Sequence, residues 1–147
     1  MSPEENDRRI ATVLHIAMLS SVAVYALVLW LPRGEVLPSA PRGAAARGVE
    51  WAFLAVGAAQ YLIATALGKK LLQSRRGEPR RRVRSFFLIR FAAAEAIAIY
   101  GLILGFLGSP AGWVAGLFAV SAAALLLAAP TRDAYGDALA RAGQAES

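Results

Sequence analysis

The sequence contains no cysteine and only one histidine, His15. Without cysteine the chain has no disulfide, no thiolate chemistry and no cysteine-based metal site, and one histidine does not make a metal cluster. We also find no Ser/His/Asp constellation and no glycine-rich phosphate-binding loop. We therefore expect neither an enzyme nor a protein with an organic or metal cofactor.

Negative charge is also scarce, because 10 acidic residues face 16 lysines and arginines, for a net charge of +6. Half of the cations fall in one segment, residues 69–84: Lys69, Lys70, Arg75, Arg76, Arg80, Arg81, Arg82 and Arg84. An excess confined to one segment does not indicate nucleic-acid binding. It suits anionic lipid headgroups or an acidic soluble partner.

Long apolar runs dominate the rest of the chain, and 57% of all residues are hydrophobic. Four blocks cover about residues 10–31, 51–72, 86–107 and 112–129. Each has roughly the 20 residues needed to cross a bilayer, where only helices or closed barrels satisfy the backbone. The first block is longer than the apolar core of a signal peptide, so we expect it to remain as a span. These blocks predict an all-α integral membrane four-helix bundle of two helical hairpins, with residues 1–147 as a single membrane domain.

The basic segment fixes the predicted orientation, because lysine and arginine accumulate on the cytoplasmic side of membrane proteins. We expect a cytoplasmic loop at 69–84, cytoplasmic N and C termini, and residues 32–50 outside. The short C-terminal tail, 131–147, carries no recognisable motif. Three tryptophans lie at the outer span ends, as in an aromatic belt: Trp30, Trp51 and Trp113. The expected location is the cell's inner (plasma) membrane, with a multi-pass topology.

Two of the spans resemble each other. A shift of 75 positions aligns residues 15–29 with residues 90–104, placing Tyr25 on Tyr100 and Ser20 on Glu95. Random membrane helices often share such a pattern, so duplication and chance both stay open. In transport folds built from repeats, binding sites gather near the membrane midplane.

Glu95 is the most informative residue, because it is an ionisable group near the middle of an apolar span. A carboxylate at that depth costs about 2.5 kcal/mol or more by insertion scales, so we treat Glu95 as a candidate functional residue. Ala92, Ala96 and Ile99 lie on the same stripe of the helix. The two alanines beside the carboxylate permit close approach of another backbone.

Two further polar residues are candidate members of a site around Glu95. Gln60 lies near the middle of the second predicted span, and its amide can donate to a carboxylate or offer its carbonyl oxygen to a cation. An interhelical hydrogen bond without function is the alternative for Gln60. Tyr100 lies about 140° around the helix from Glu95, so we expect it to reach the Glu95 of a neighbouring subunit and not that of its own helix.

The run from Glu95 to Leu104 has the pattern Glu-x-x-x-x-Tyr-Gly-Leu. With the basic segment and the preceding span, it resembles the rotor-ring c subunit, or proteolipid, of F-type and V-type rotary ATPases over roughly residues 51–107. The resemblance implies a proton- or sodium-binding carboxylate at Glu95, with Gln60 and Tyr100 as supporting ligands, in an oligomeric ring.

The sequence also departs from that family. Residues 55–60 read Ala-Val-Gly-Ala-Ala-Gln in place of a glycine repeat, and Ala96 stands where sodium sites commonly have serine or threonine. Additional spans flank the hairpin on both sides.

Three functions follow as hypotheses. The first is a proton- or sodium-binding membrane subunit with Glu95, Gln60 and Tyr100 at the ion. The second is a non-transporting assembly or scaffold protein that docks a partner on its basic loop. The third is a small proton-coupled transporter with a glutamate shared in a dimer. The expected partners are the lipid bilayer, further copies or other membrane subunits, and a soluble protein at the basic loop, but no nucleic acid.

Overall fold

The computed structural model describes residues 3–30, 44–75 and 77–144. These residues form helices and no strand, so the prediction of an all-α protein is confirmed. The helices are α1 (Pro3–Trp30), α2 (Ala44–Gln73), α3 (Pro79–Phe106), α4 (Ala111–Leu127) and α5 (Arg132–Gln144). Three of them, α1 to α3, are long and apolar enough to cross a membrane, and α4 with α5 qualifies as a fourth only as one bent span.

The C-terminal region differs from the predicted straight span at 112–129 and motif-free tail at 131–147. The fourth helix ends before Pro130, whose ring and missing N–H do not allow a helix to continue. Thr131 then starts α5, because its Oγ1 accepts a hydrogen bond from the Ala134 amide at 3.2 Å, as an N-cap residue does. Helices α4 and α5 meet at a bend of 66°.

Helix α3 occupies the centre of the fold and packs against all four other helices. Its buried stripe has spacings of three and four residues and consists of large aromatic residues followed by small ones: Phe87, Phe91, Ala94, Ala98 and Gly101. In the apolar stretch of 18 residues within α3, 44% of the residues are buried, whereas only 17% are buried in the corresponding stretches of α1 and α2. The outer helices therefore expose most of their apolar surface, as expected of spans that face lipid.

Helices α1 and α3 lie side by side and run in the same direction. The rings of His15 and Phe91 are 5.2 Å apart, and a Cβ added to Gly105 would overlap the side chain of Leu29. Partners in these contacts are 76 positions apart in the sequence, close to the shift of 75 at which the sequence aligns with itself. The two similar segments thus lie next to each other at nearly the same depth.

Two tryptophans lie together at one end of the molecule. Trp51 on α2 and Trp113 on α4 make an edge-to-face contact with ring centroids 4.8 Å apart, so these two helix starts lie at one end of the molecule. Helix α2 begins at Ala44, inside the segment 32–50 that we expected to be a loop. Residues 31–43 lie outside the described ranges.

The predicted basic loop is much shorter than residues 69–84. Only residues 74–78 connect the helices, because Gly77 adopts a positive φ of 83° in the turn and Pro79 opens α3 with a φ suited to a helix start. Most of the basic residues therefore lie on helices: Lys69 and Lys70 on α2, and Arg80, Arg81, Arg82 and Arg84 on α3. Arg76 lies outside the described residues.

Arg82 is buried, with 3% of its surface exposed, and is not part of the surface on which we predicted docking. Its guanidinium donates to the carbonyls of Leu72 and Ser74 at the end of α2, and to the carbonyl of Ala142 at 3.0 Å near the end of α5. The last carbonyls of a helix lack partners within the helix and carry partial negative charge. Arg82 satisfies both helix ends and joins α2, α3 and α5.

Replacing Arg82 by glutamine should destabilise the fold and release α5. Hydrogen bonds from a charged donor are worth about 1.5–3 kcal/mol each, so we expect a loss on the order of 2 kcal/mol or more in the free energy of unfolding. Thermal unfolding in detergent and limited proteolysis near α5 measure this. Arg81→Gln, at an exposed position, is the matched control. Equal stability of the two variants would contradict the capping role.

Two glycines, Gly101 on α3 and Gly116 on α4, should differ in how well they tolerate a larger side chain. A Cβ on Gly101 would lie 3.2 Å from the Leu117 Cβ and 3.5 Å from the Val114 carbonyl oxygen, whereas a Cβ on Gly116 meets nothing within 4 Å. Gly101→Leu should therefore separate α3 from α4 and cost about 1–3 kcal/mol, the usual range for overpacking. Gly116→Leu should leave the melting temperature nearly unchanged. A similar loss in both variants would show that this contact does not hold the helices together.

Candidate functional site

Glu95 lies at the interface of α3 and α1 and accepts two hydrogen bonds from α1. Ser21 Oγ donates to Glu95 Oε1 at 2.6 Å, and Tyr25 Oη donates to the same oxygen at 3.1 Å. Ser21 and Tyr25 are four residues apart, so they lie on one face of their helix. Glu95 is about 24 Å along α3 from Pro79, at 1.5 Å per residue, which places it deep within the apolar region.

Ser21 has a second acceptor within reach. Its Oγ is 2.7 Å from the Met18 carbonyl oxygen, while it is 2.6 Å from Glu95 Oε1. A serine hydroxyl has one proton to donate and lone pairs to accept with. It can therefore donate to an ionised Glu95, or donate to Met18 and accept from a protonated Glu95. The same heavy-atom positions suit both protonation states of the carboxyl group.

Glu95 lies among apolar residues, and part of its side chain remains exposed. Its side chain is half-buried, while Ala94 beside it is fully buried and accepts a hydrogen bond at its carbonyl from Ser121 of α4. Arg90 reaches instead toward the Leu127 carbonyl oxygen, at 3.5 Å. Within the described part of the chain no cation pairs with Glu95. The carboxyl group is thus held by hydroxyls alone.

Gln60 and Tyr100 form a separate pair on the other side of α3. Tyr100 Oη donates to the Gln60 side-chain carbonyl oxygen at 2.5 Å, joining α3 to α2. Sequence analysis grouped both residues with Glu95. The structure brings Gln60 and Tyr100 together and gives Glu95 its partners from α1, in agreement with the angle of about 140° that separates Tyr100 from Glu95 around the helix.

Sequence analysis did not select Ser21 or Tyr25 as partners of Glu95. The available signal was their spacing, two hydroxyl-bearing residues one turn apart in an apolar span. The self-alignment matches Glu95 with Ser20, the neighbour of the observed partner Ser21. Ser20 is exposed, and its hydroxyl donates to its own helix, to the Ile16 carbonyl at 2.9 Å.

His15 is a further buried polar residue at the same interface. It is 7% exposed, packs on Phe91, and its Nδ1 finds no hydrogen-bond partner in the described residues. It lies six positions, or about 9 Å along the helix, before Ser21. No group of three or more histidines or acidic residues is close enough to hold a metal ion among the residues that the structure describes.

Comparisons of the chain with protein-family models, with curated proteins and with solved structures give no match. The function is therefore argued from the geometry around Glu95.

The two serines of α1 provide a test of this geometry. Ser21→Ala removes a hydrogen-bond donor to Glu95 across the α1–α3 interface, so the free energy of unfolding should fall by about 1 kcal/mol. Ser20→Ala should leave it nearly unchanged, because that hydroxyl bonds only its own helix. The measurement is thermal unfolding in detergent, and equal melting temperatures for the two variants would contradict the assigned hydrogen bond.

Proposed function

We propose that the protein is a multi-pass protein of the inner (plasma) membrane that binds and releases a proton at Glu95 during proton transport. In this proposal α1, α2, α3 and the bent pair α4–α5 form the membrane bundle, with both termini and the basic end in the cytoplasm. The observation that carries it is the pair of hydroxyls, Ser21 and Tyr25, that donate to Glu95 Oε1 across the α1–α3 interface.

At such a site both the ionised and the protonated form of Glu95 find hydrogen-bond partners, so neither form has a high free energy. When Glu95 is ionised, the two hydroxyl dipoles stabilise its charge in surroundings that would otherwise disfavour it strongly. When Glu95 is protonated, its O–H finds an acceptor in Ser21, whose own proton turns to the Met18 carbonyl.

A proton fits this site better than sodium. The Gln60 carbonyl oxygen, the expected sodium ligand, accepts from Tyr100 and belongs to the α2–α3 contact. Ala96 adds no hydroxyl next to the carboxylate. The oxygens around Glu95 are those of Ser21 and Tyr25, which are already donors to it.

The proposal keeps the resemblance to the rotor proteolipid and changes one part of it. Glu95 lies on the second helix of the α2–α3 hairpin, as the family's carboxylate does, and Gln60 and Tyr100 join that hairpin. The partners of Glu95 come from α1, which a two-helix proteolipid lacks. We infer that α1 takes the place of a neighbouring subunit, so that one chain completes its own proton site and a ring is not required for binding.

The scaffold hypothesis is the second candidate, and one observation favours it. Basic residues at one end of the molecule are exposed and make no ion pair within the described ranges: Lys69, Lys70, Arg75, Arg81 and Arg84. Such a surface suits an acidic partner. Under this hypothesis Glu95→Gln would preserve function, whereas under the proton-binding proposal it would abolish function.

Labelling by dicyclohexylcarbodiimide tests the proposal, because this reagent modifies protonated carboxyl groups in apolar surroundings. Intact-mass analysis in mild detergent should show one adduct that is absent in Glu95→Gln and decreases as pH rises. Sodium should have little effect. Suppression by sodium would favour a sodium site instead, and absence of labelling at every pH would contradict proton exchange.

Transport itself requires a second measurement. Vesicles reconstituted with the protein, loaded with a pH-sensitive dye and given a potassium diffusion potential, should acidify or alkalinise faster than empty vesicles. Glu95→Gln should reduce this rate to that of empty vesicles, while Glu78→Gln, at an exposed position in the connection before α3, should leave it unchanged. Labelling without any flux would leave a proton-binding subunit that needs a partner to transport.

A further inference from the structure

A cavity at the basic end of the molecule lies apart from the Glu95 site. Its volume is about 530 Å³, and it opens between the end of α2, the connection at 74–78 and the end of α5. Its lining is polar and basic with one leucine: Lys69, Leu72, Gln73, Arg75, Arg141 and Gln144. Three of these six side chains are cations and none is acidic.

The three cations are available to a ligand. Lys69, Arg75 and Arg141 are exposed, and among the described residues none of them forms an ion pair. Asp137 lies one turn before Arg141 on α5 and is the acid best placed along that helix to pair with it, yet the two form no ion pair. Positive charge without a partner around a concave site indicates an anion.

Arg82 removes the main obstacle to anion binding here. The cavity lies where two helices end, and the partial negative charge of their last carbonyls would repel an anion. The Arg82 guanidinium donates to the Leu72, Ser74 and Ala142 carbonyls and thereby covers both ends. Its own positive charge then lies at the two helix ends that border the cavity.

The surface that leads to the cavity is apolar. Leu62, Ala66 and Lys69 lie on one stripe of α2 at spacings of four and three residues, and Gln73 follows one turn later. Leu62 is 69% exposed, and Ala66 is exposed as well. An acyl chain lying along this stripe would bring its phosphate to Lys69, at the level where a span ends and headgroups begin.

We propose that this cavity binds the phosphate headgroup of an anionic phospholipid, with its acyl chain along the Leu62 stripe of α2. The headgroup contacts Lys69 from α2 and Arg141 from α5, so the lipid fastens α5 to the membrane bundle. The site does not depend on the proton chemistry of Glu95. An acidic peptide or free phosphate would match the charge but not the apolar stripe.

Native mass spectrometry of the detergent-solubilised full chain tests this, with phosphatidylglycerol as the probe and phosphatidylcholine as the neutral comparison. The double variant Lys69→Gln, Arg141→Gln should bind phosphatidylglycerol about 30-fold more weakly, at about fivefold per cation. The matched control, Lys70→Gln with Arg132→Gln, makes the same change of charge at exposed positions on the same two helices.

A second variant does not rely on removing side chains. Gln73→Glu adds a negative charge to the cavity lining at an exposed position and should also expel phosphatidylglycerol, with an unchanged melting temperature in lipid-free detergent. Equal lipid binding by the cavity and control variants would overturn the proposal, since general surface attraction would then explain it. Displacement of the lipid by millimolar inorganic phosphate would overturn the lipid assignment in favour of a free-phosphate site.

Discussion

The hydrogen bonds between Glu95 and α1 are the interaction on which the account of this protein depends. A half-buried carboxyl group among apolar helices must obtain partners from a neighbouring helix, because the backbone of its own helix is already paired. Ser21 and Tyr25 provide them from one face of α1. The parallel packing of α1 and α3 continues on both sides of the site, with His15 beside Phe91 toward the start of the two helices and Leu29 against Gly105 toward their ends.

The central position of α3 explains why the polar groups separate into distinct contacts. Because α3 touches every other helix, polar groups near its middle meet three different neighbours: Glu95 meets α1, Tyr100 meets α2, and the Ala94 carbonyl meets Ser121 of α4. Small residues on α3 let those neighbours approach closely. The proposed proton site and the polar contacts with α2 and α4 therefore lie on different sides of one helix.

Much of the fold could be predicted from hydropathy, as could the position of Glu95 deep within an apolar helix. The partners of Glu95 could not be predicted, because a span's sequence does not show which of its faces meets which helix. Gln60 and Tyr100 are plausible ligands by residue type, yet the angle between Tyr100 and Glu95 around α3 turns Tyr100 toward α2, where it bonds Gln60. The self-alignment matched Ser20 with Glu95, one position from Ser21, and a shift of one residue turns a helix by about 100°.

The basic end of the molecule also could not be fully predicted from the sequence. Charge counting treated residues 69–84 as one exposed loop, but Arg82 lies inside and caps two helices, one of them the α5 that sequence analysis regarded as a featureless tail. The signals for α5 were local and weak, a threonine N-cap after a proline and a few alanines on one face. Tyr135, stacked on Phe87 at 5.8 Å, fixes that helix against α3 through a contact distant in sequence.

The measurement that tests the central claim most directly is infrared difference spectroscopy of the carboxyl C=O stretch during reversible pH changes in lipid. If Glu95 binds a proton reversibly, one carboxylic acid band should disappear on alkalinisation, return on acidification, be missing in Glu95→Gln, and move in frequency in Tyr25→Phe. A band that never titrates, or one that persists in Glu95→Gln, would contradict reversible proton binding at Glu95.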